Sequence, residues 1–222
     1  MPSPLLKKLK EAIHFAGEDQ QTKVVVLKSG GGRTFCAGAS FDELVSIENK
    51  AQGKAFFMGF ANVINAMRTC PKLIIGRVQG KAVGGGVGLA AATDYCLATK
   101  YASIKLSELS IGIGPFVISP AVERKIGLAA FSHLSLNATV WQSSEWALRQ
   151  GLFADLHEDM EALDTAVDQL AHQLSKSNPA ALLQMKKILW KETENWDELL
   201  EERAEISGKL VLSDFTKKAL SN

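Results

Sequence analysis

Short runs of apolar, β-branched residues alternate with helix-length segments over the first hundred residues of the chain. The runs at residues 23–29 and 72–78 each have glycine or proline beside them and predict buried strands, and residues 94–98 predict a third. Residues 5–16 and 54–70 instead repeat apolar side chains at helical spacing. Strands separated by helices require crossover connections, so this pattern predicts an α/β fold.

The pattern changes after Gly114, where helix-like segments follow one another with proline, glycine or serine between them. These segments cover residues 121–136, 143–151, 164–177, 179–192 and 196–212. We therefore expect the last third of the chain to be all α. The predicted division is an α/β core over residues 1–135 and a helical C-terminal region over residues 136–222.

Composition and charge exclude several classes of protein. The 222 residues are 46% apolar with a net charge of +1, so there is no electrostatic reason to bind nucleic acid or an anionic membrane. The apolar runs are also shorter than a membrane-spanning helix requires. Cys36, Cys70 and Cys96 are odd in number and lack CxxC spacing, which favours a reduced, cytoplasmic setting without a disulfide framework or a metal site.

The densest glycine run lies at residues 80–88 and holds five glycines in nine residues. No Lys-Ser or Lys-Thr follows Gly86 as a P-loop requires, and Leu89 stands where a dinucleotide fingerprint would have its last glycine. The remaining interpretation is a strand ending at Val78, a glycine turn and a helix beginning near Gly85. Such a turn aims free backbone N–H groups at whatever lies above it and favours negative charge there.

A second glycine-rich segment, residues 30–44, follows the first predicted strand. Ser40 is a good helix N-cap, and Glu43 three residues later is its capping-box partner. Taken alone, the segment favours a flexible loop that enters a helix. Two such turns in one domain are a stronger signal, because N–H groups from both turns could converge on one oxygen as an oxyanion hole requires.

Three segments carry a resemblance to a known family: FCAGASFDEL at residues 35–44, VQGKAVGGGVGLAAATDYCLA at residues 78–98 and LSELSIGIGPF at residues 106–116. In this order they resemble the signature segments of the enoyl-CoA hydratase/isomerase, or crotonase, superfamily. The resemblance implies a crotonase-like spiral of repeated ββα units with an α-helical C-terminal trimerisation region. It also implies acyl-CoA thioester substrates, no cofactor apart from the coenzyme A of the substrate, and a homotrimer or a hexamer of two trimers.

The resemblance assigns residues to an active site. The backbone N–H groups of Ala39 and Gly85 correspond to the family's oxyanion hole, and Glu108 corresponds to one of its two catalytic glutamates. The residues expected to line the substrate are Ala37, Gly38, Ser40, Phe41, Gly84 and Pro115. Four neighbouring side chains, Phe56, Phe57, Met58 and Phe60, are either a wall for the acyl chain or ordinary core.

Glu108 is the predicted general base. Leu106, Leu109 and Ile111 surround it in the sequence, and an apolar setting would raise its pKa towards neutrality, as proton transfer near pH 7 requires. The second glutamate of the two-carboxylate hydratases would fall at Gly88, so the chain resembles the single-glutamate members. One carboxylate suffices to take a proton from C2 of a 3-enoyl thioester and return it at C4, which favours enoyl-CoA isomerisation.

Four alternatives stay open. A hydratase, including one of the methylglutaconyl type, would need another residue to replace the missing glutamate. A decarboxylase would need little beyond the oxyanion hole, and Lys81 is then a candidate to hold a substrate carboxylate, although a solvated lysine is the commoner case. A degenerate protein would bind acyl-CoA without turnover, and a nucleic-acid-associated member is disfavoured by the charge. Family members usually carry two further strands before the first helix, so we also expect a shortened sheet.

Overall fold

The computed structural model describes residues 1–221 as one α/β fold with two four-stranded sheets. The eight strands are β1 Val24–Lys28, β2 Thr34–Cys36, β3 Leu73–Val78, β4 Lys81–Val83, β5 Tyr95–Thr99, β6 Ser103–Lys105, β7 Gln142–Ser143 and β8 Asp155–His157. The helices are α1 Ser3–Glu18, α2 Phe41–Val45, α3 Lys50–Thr69, α4 Gly85–Ala91, α5 Ser119–Leu136, α6 Ser144–Arg149, α7 Met160–Ser175, α8 Pro179–Leu189, α9 Trp196–Leu210 and α10 Asp214–Leu220, and Glu108–Ile111 form a 3₁₀ turn.

The strands from β1 to β6 alternate between the two sheets. One sheet has the order β1-β3-β5-β8 and is parallel throughout, while the other has the order β2-β4-β6-β7 with an antiparallel pair only at β6–β7. Three times the chain leaves one strand in each sheet and continues into a helical segment, which is the repeated ββα spiral that the family resemblance implies. β7 then joins the second sheet, and β8 joins the first sheet after α6.

The core lies between the sheets and the helices α3, α4 and α5. Ala82 of β4 and Ile104 of β6 are fully buried, whereas their strand neighbours Lys81 and Lys105 face outwards. Helix α4 is buried from Gly86 to Ala91 and consists of small and aliphatic residues, so it can pass through the centre of the molecule. This placement fixes the position of the helix that follows the glycine run.

The prediction that the last third is all α is wrong at two short strands. β8 pairs in parallel with β5, aligning Leu97 with Asp155, and so adds a fourth strand to the first sheet. A strand of three residues gives too few alternations for its period to be read from sequence. The predicted strands at 23–29, 72–78 and 94–98 and the helices of the C-terminal region are confirmed, and the division at residues 135 and 136 stays a prediction.

A buried ion pair ties the C-terminal region to the core. Lys186 Nζ of α8 lies 2.8 Å from Asp94 Oδ2, and Trp190 Nε1 donates to Asp94 Oδ1 at 2.6 Å. Asp94 also accepts the N–H of Ile74 at 2.7 Å, so both of its oxygens are occupied. Because a buried carboxylate needs such partners, the pair fixes α8 beside the turn between α4 and β5.

Candidate active site

A cavity of about 230 Å³ lies where three loops meet helices α3 and α9. The loops are the segment between β2 and α2, the turn between β4 and α4, and the chain from the 3₁₀ turn to α5. The cavity is lined by Ala37, Gly38, Ala39, Phe41, Leu44, Phe56, Phe57, Phe60, Val83, Gly84, Gly85, Ser107, Glu108, Ile111, Ile113, Gly114, Pro115, Phe116, Val117, Ile118 and Ser207. The fold thus brings all three signature segments to one place.

The glycines of the β4–α4 turn are required by close neighbours within the chain. A Cβ at Gly85 would lie 2.3 Å from the Phe60 ring, and one at Gly86 would lie 2.3 Å from the carbonyl oxygen of Cys36. Gly84 has φ +52°, which side-chain-bearing residues rarely adopt, and its N–H donates to Lys105 O at 2.9 Å. A further short strand, β4, lies inside the segment predicted as a plain turn.

The two glycine-rich turns touch each other. Gly38 has φ +86°, and a Cβ there would lie 3.1 Å from Val83 O and 3.8 Å from Gly85 N. The Ala39 N–H donates to no acceptor within residues 1–221, and Gly85 is the first residue of α4, where helical N–H groups have no partner in their own helix. Two free donors from separate turns therefore adjoin the same cavity.

Ser40 and Glu43 fulfil their predicted roles only in part. Ser40 is not among the residues that line the cavity; its Oγ instead accepts the Glu43 N–H at 3.4 Å and caps α2, as the sequence predicts. The reciprocal bond of a capping box is absent in the described chain, because the Glu43 carboxylate accepts the Ser3 N–H at 3.0 Å and the Ser40 N–H donates to Met1 O at 3.0 Å. The carboxylate thereby joins α1 to α2.

Glu108 begins the 3₁₀ turn and directs its carboxylate at the β4–α4 turn. A Cβ at Gly84 would lie 2.6 Å from Glu108 Oε1, so the carboxylate lies directly against the Gly84 backbone. Oε2 is buried and has no hydrogen-bond partner in the described part of the chain. The residue as a whole is half-buried, but burial of the carboxylate raises the pKa of Glu108 to about 7.

The apolar setting of Glu108 differs in part from the sequence prediction. Leu106 is fully buried and Ile111 lines the cavity, but Leu109 is 45% exposed and points away from the core. The turn is closed by Gly112 at φ +80°, and a Cβ there would lie 2.8 Å from Thr216 Oγ1 of α10. Helix α10 therefore packs on the turn that carries Glu108, a contact for which the sequence holds no signal.

No second carboxylate accompanies Glu108 among the residues of this chain that line the cavity. The position predicted for it, Gly88, has no room for a side chain, because a Cβ there would lie 2.4 Å from Ile118 Cγ2. Ile118 is 4% exposed and lines the cavity. The place of a side chain at position 88 is consequently occupied by hydrocarbon.

The cavity wall is largely aromatic and aliphatic. Phe56, Phe57 and Phe60 line it from α3, whereas Met58 packs against the core. The sequence did not predict that Ile113, Val117 and Ile118 line the cavity. It also did not predict Ser207 of α9, which reaches the cavity through tertiary packing alone. An apolar wall with few polar groups suits an acyl chain.

Lys81 lies outside the cavity lining. Its Nζ is 5.0 Å from the centre of the Trp141 ring, and Lys105 Nζ is 4.8 Å from the same ring. Both lysines project from the outer face of the second sheet. The structure therefore gives no support to Lys81 as a group that holds a substrate carboxylate beside Glu108.

Comparison with known proteins agrees with this geometry. The model of the family described as enoyl-CoA hydratase/isomerase matches residues 2–220. The chain belongs to the enoyl-CoA hydratase/isomerase family. It resembles the crystal structure of enoyl-CoA hydratase from Bacillus halodurans with a TM-score of 0.92 at 24% identity, over 99% of this chain and 89% of that one. It also resembles the crystal structure of an enoyl-CoA hydratase from Mycobacterium avium, with a TM-score of 0.85 at 28% identity, over 100% of this chain and 84% of that one.

Relatives within the family carry different reactions in their names. The peroxisomal Delta(3,5)-Delta(2,4)-dienoyl-CoA isomerase of Arabidopsis thaliana is 28% identical over 91% of this chain and 78% of its own length. The short-chain-enoyl-CoA hydratase of Clostridium acetobutylicum is 29% identical over 82% of this chain and 70% of its own. At 28–29% identity, these similarities do not decide between isomerase and hydratase. No helix within residues 1–221 is long and apolar enough to cross a membrane.

Proposed function

We propose that this family member is an enoyl-CoA isomerase that moves a double bond from the 3-position to the 2-position of an acyl-CoA thioester. The observation that supports this choice most is that, among residues 1–221, Glu108 is the one carboxylate that lines the cavity, where it lies against Gly84 beside the N-terminus of α4. Isomerisation requires one group that both removes and returns a proton. Hydration requires in addition that a water molecule be held and activated.

In the proposed first step, Glu108 removes a proton from C2 and the thioester becomes an enolate. The developing charge on the thioester oxygen would be stabilised by the N–H groups of Ala39 and Gly85, whose turns touch through Gly38. Loss of one such donor in comparable sites raises the barrier by about 3 kcal/mol. The residues Ala37, Gly38, Phe41, Gly84 and Pro115 would surround the thioester, and all five line the cavity.

In the second step, protonated Glu108 returns its proton at C4. A pKa of about 7 suits both steps, because the group is a competent base when ionised and a competent acid when protonated. No cofactor takes part, since the proton shuttle needs only the carboxylate and the oxyanion hole. The coenzyme A portion belongs to the substrate.

We expect the chain to assemble as a homotrimer, or as a hexamer of two trimers, and to act in the cytoplasm without nucleic-acid or membrane partners. Exposed apolar side chains on the C-terminal helices support an assembly, among them Leu136 of α5, Ile188 of α8 and Phe215 of α10, which are each at least 60% exposed. Light scattering of the purified protein would measure the mass, and a monomer would contradict this expectation.

Enoyl-CoA hydration is the second candidate function, favoured by the names of relatives such as the Clostridium acetobutylicum hydratase. The test is a paired assay that follows conversion of 3-hexenoyl-CoA to 2-hexenoyl-CoA and hydration of 2-hexenoyl-CoA by the same preparation. Isomerisation without hydration is the expected result. Hydration at a comparable rate would reject the proposal in favour of the hydratase, and binding of the thioesters without turnover would identify an acyl-CoA-binding protein.

A further inference from the structure

Position 88 faces the catalytic cavity although it holds no side chain. Gly88 lies three residues after Gly85 on α4, and residues at this spacing share one face of a helix. Gly85 lines the cavity. A side chain at position 88 would therefore point towards the same space as Glu108.

Ile118 fills that space. Its Cγ2 lies 2.4 Å and its Cβ 2.7 Å from the place that a Cβ of residue 88 would occupy. Ile118 is the N-cap residue of α5, is branched at Cβ, and is 4% exposed, so neither its backbone nor its first side-chain torsion is free to move away. Gly88 and Ile118 form a packed pair that leaves no room for a second acid.

The packed pair also determines what Glu108 meets in the cavity. An ordered water needs two to four polar partners, whereas Ile118, Val117 and Ile113 present only hydrocarbon on this side. The hydroxyl of Ser207, which lines the cavity from α9, donates to Arg203 O at 3.1 Å. The side of the cavity formed by Ile113, Val117 and Ile118 therefore offers a water no polar partner. The cavity's free N–H groups, at Ala39 and Gly85, are the ones that the proposed mechanism assigns to the thioester oxygen.

We propose that Ile118 is a specificity-determining residue that keeps water away from the thioester beside Glu108. The inference rests on the proposed isomerase function. Isomerisation transfers one proton from C2 to Glu108 and then to C4 and consumes no water, while hydration adds the H and OH of one water across C2 and C3. With water excluded, the proton on Glu108 goes back to carbon.

The test measures deuterium in 2-hexenoyl-CoA formed from 3-hexenoyl-CoA in D₂O. Ile118→Ala should raise the deuterium content of the product at least threefold and raise the ratio of hydration to isomerisation. Ile126→Ala is the matched control, because Ile126 lies on the same helix in the core and does not line the cavity. It should leave both quantities within a factor of 1.5 of the parent protein.

Two further variants complete the test. One keeps it valid if Ile118→Ala does not fold, and the other tests for a gain of hydratase activity. Ile118→Val removes one methylene, and it should change both quantities in the same direction by a smaller factor. The double variant Gly88→Glu/Ile118→Gly supplies a second carboxylate in the vacated space, and it should hydrate 2-hexenoyl-CoA at least tenfold faster than the parent.

Three results distinguish the possible failures. If the parent isomerises but the Ile118 variants keep its deuterium content and its hydration ratio, the role of Ile118 is overturned and the proposed function stands. If the parent hydrates without isomerising, both are overturned. If the parent turns over neither thioester, both the proposed function and this inference are overturned.

Discussion

Gly84 and Glu108 fit against each other with no space for a methyl group between them. A Cβ on Gly84 would lie 2.6 Å from Oε1 and 3.1 Å from Cδ of Glu108. The same glycine is the N-cap of α4 and adopts φ +52°, ψ −116°. One backbone position therefore sets both the approach of the carboxylate and the direction of the first N–H groups of the helix.

Gly84→Ala should reduce kcat by about 100-fold, because the methyl group displaces the Glu108 carboxylate and small misplacements of a reacting group cost that much. The matched control is Gly31→Ala, since Gly31 also has a positive φ, +77°, but meets nothing within 4 Å of a Cβ. Both variants should lose about 1–3 kcal/mol of stability from backbone strain. Equal activity in the two variants would contradict the proposed contact.

Glu108→Gln should lower kcat by roughly 10²–10⁴-fold, the range that general acid–base catalysis supplies. Binding of a saturated acyl-CoA, measured by calorimetry, should change by less than threefold, because the amide keeps the shape of the side chain. Glu123→Gln is the matched control, since Glu123 is an exposed residue of α5 and should leave kcat unaltered. Full activity of Glu108→Gln would reject the mechanism.

The resemblance of the signature segments assigned Ala39, Gly85 and Glu108 to one site, and all three line the cavity, while their catalytic roles stay predictions. Ile118 and Thr216 were not predictable in the same way, since their contacts with Gly88 and Gly112 join elements far apart in the chain. The short strands were not predicted for a different reason. β2, β4 and β8 have three residues each, too few to display a period of two.

The pH dependence of kcat/KM should report the raised pKa of Glu108. Because the base must be ionised, kcat/KM should rise about tenfold per pH unit below pH 7 and level off above it. A saturated acyl-CoA, which binds without reacting, serves as the control for effects of pH on binding. A profile that is flat between pH 5 and pH 8 would show that another group limits the reaction.

Stability should depend on pH through the same carboxylate. The pKa of Glu108 is about 7 in the folded protein against an ordinary value of 4.5, so the folded state binds the proton more tightly than the unfolded state. The sign follows from linkage: the folded state is at no disadvantage below pH 4.5 and loses stability as pH rises from 4.5 to 7. The difference between the two pKa values corresponds to about 3 kcal/mol at full ionisation.

Glu108→Gln removes this penalty and should stabilise the protein at pH 8 by up to about 3 kcal/mol relative to the parent, with a much smaller gain at pH 5. Urea unfolding of both proteins at pH 5, 6, 7 and 8 gives the difference directly, provided that their m-values agree. All other titrating groups are common to the two proteins and cancel in the difference. A gain independent of pH would mean that burial of Glu108 does not penalise its charged form, and it would remove the physical basis for a base poised near neutrality.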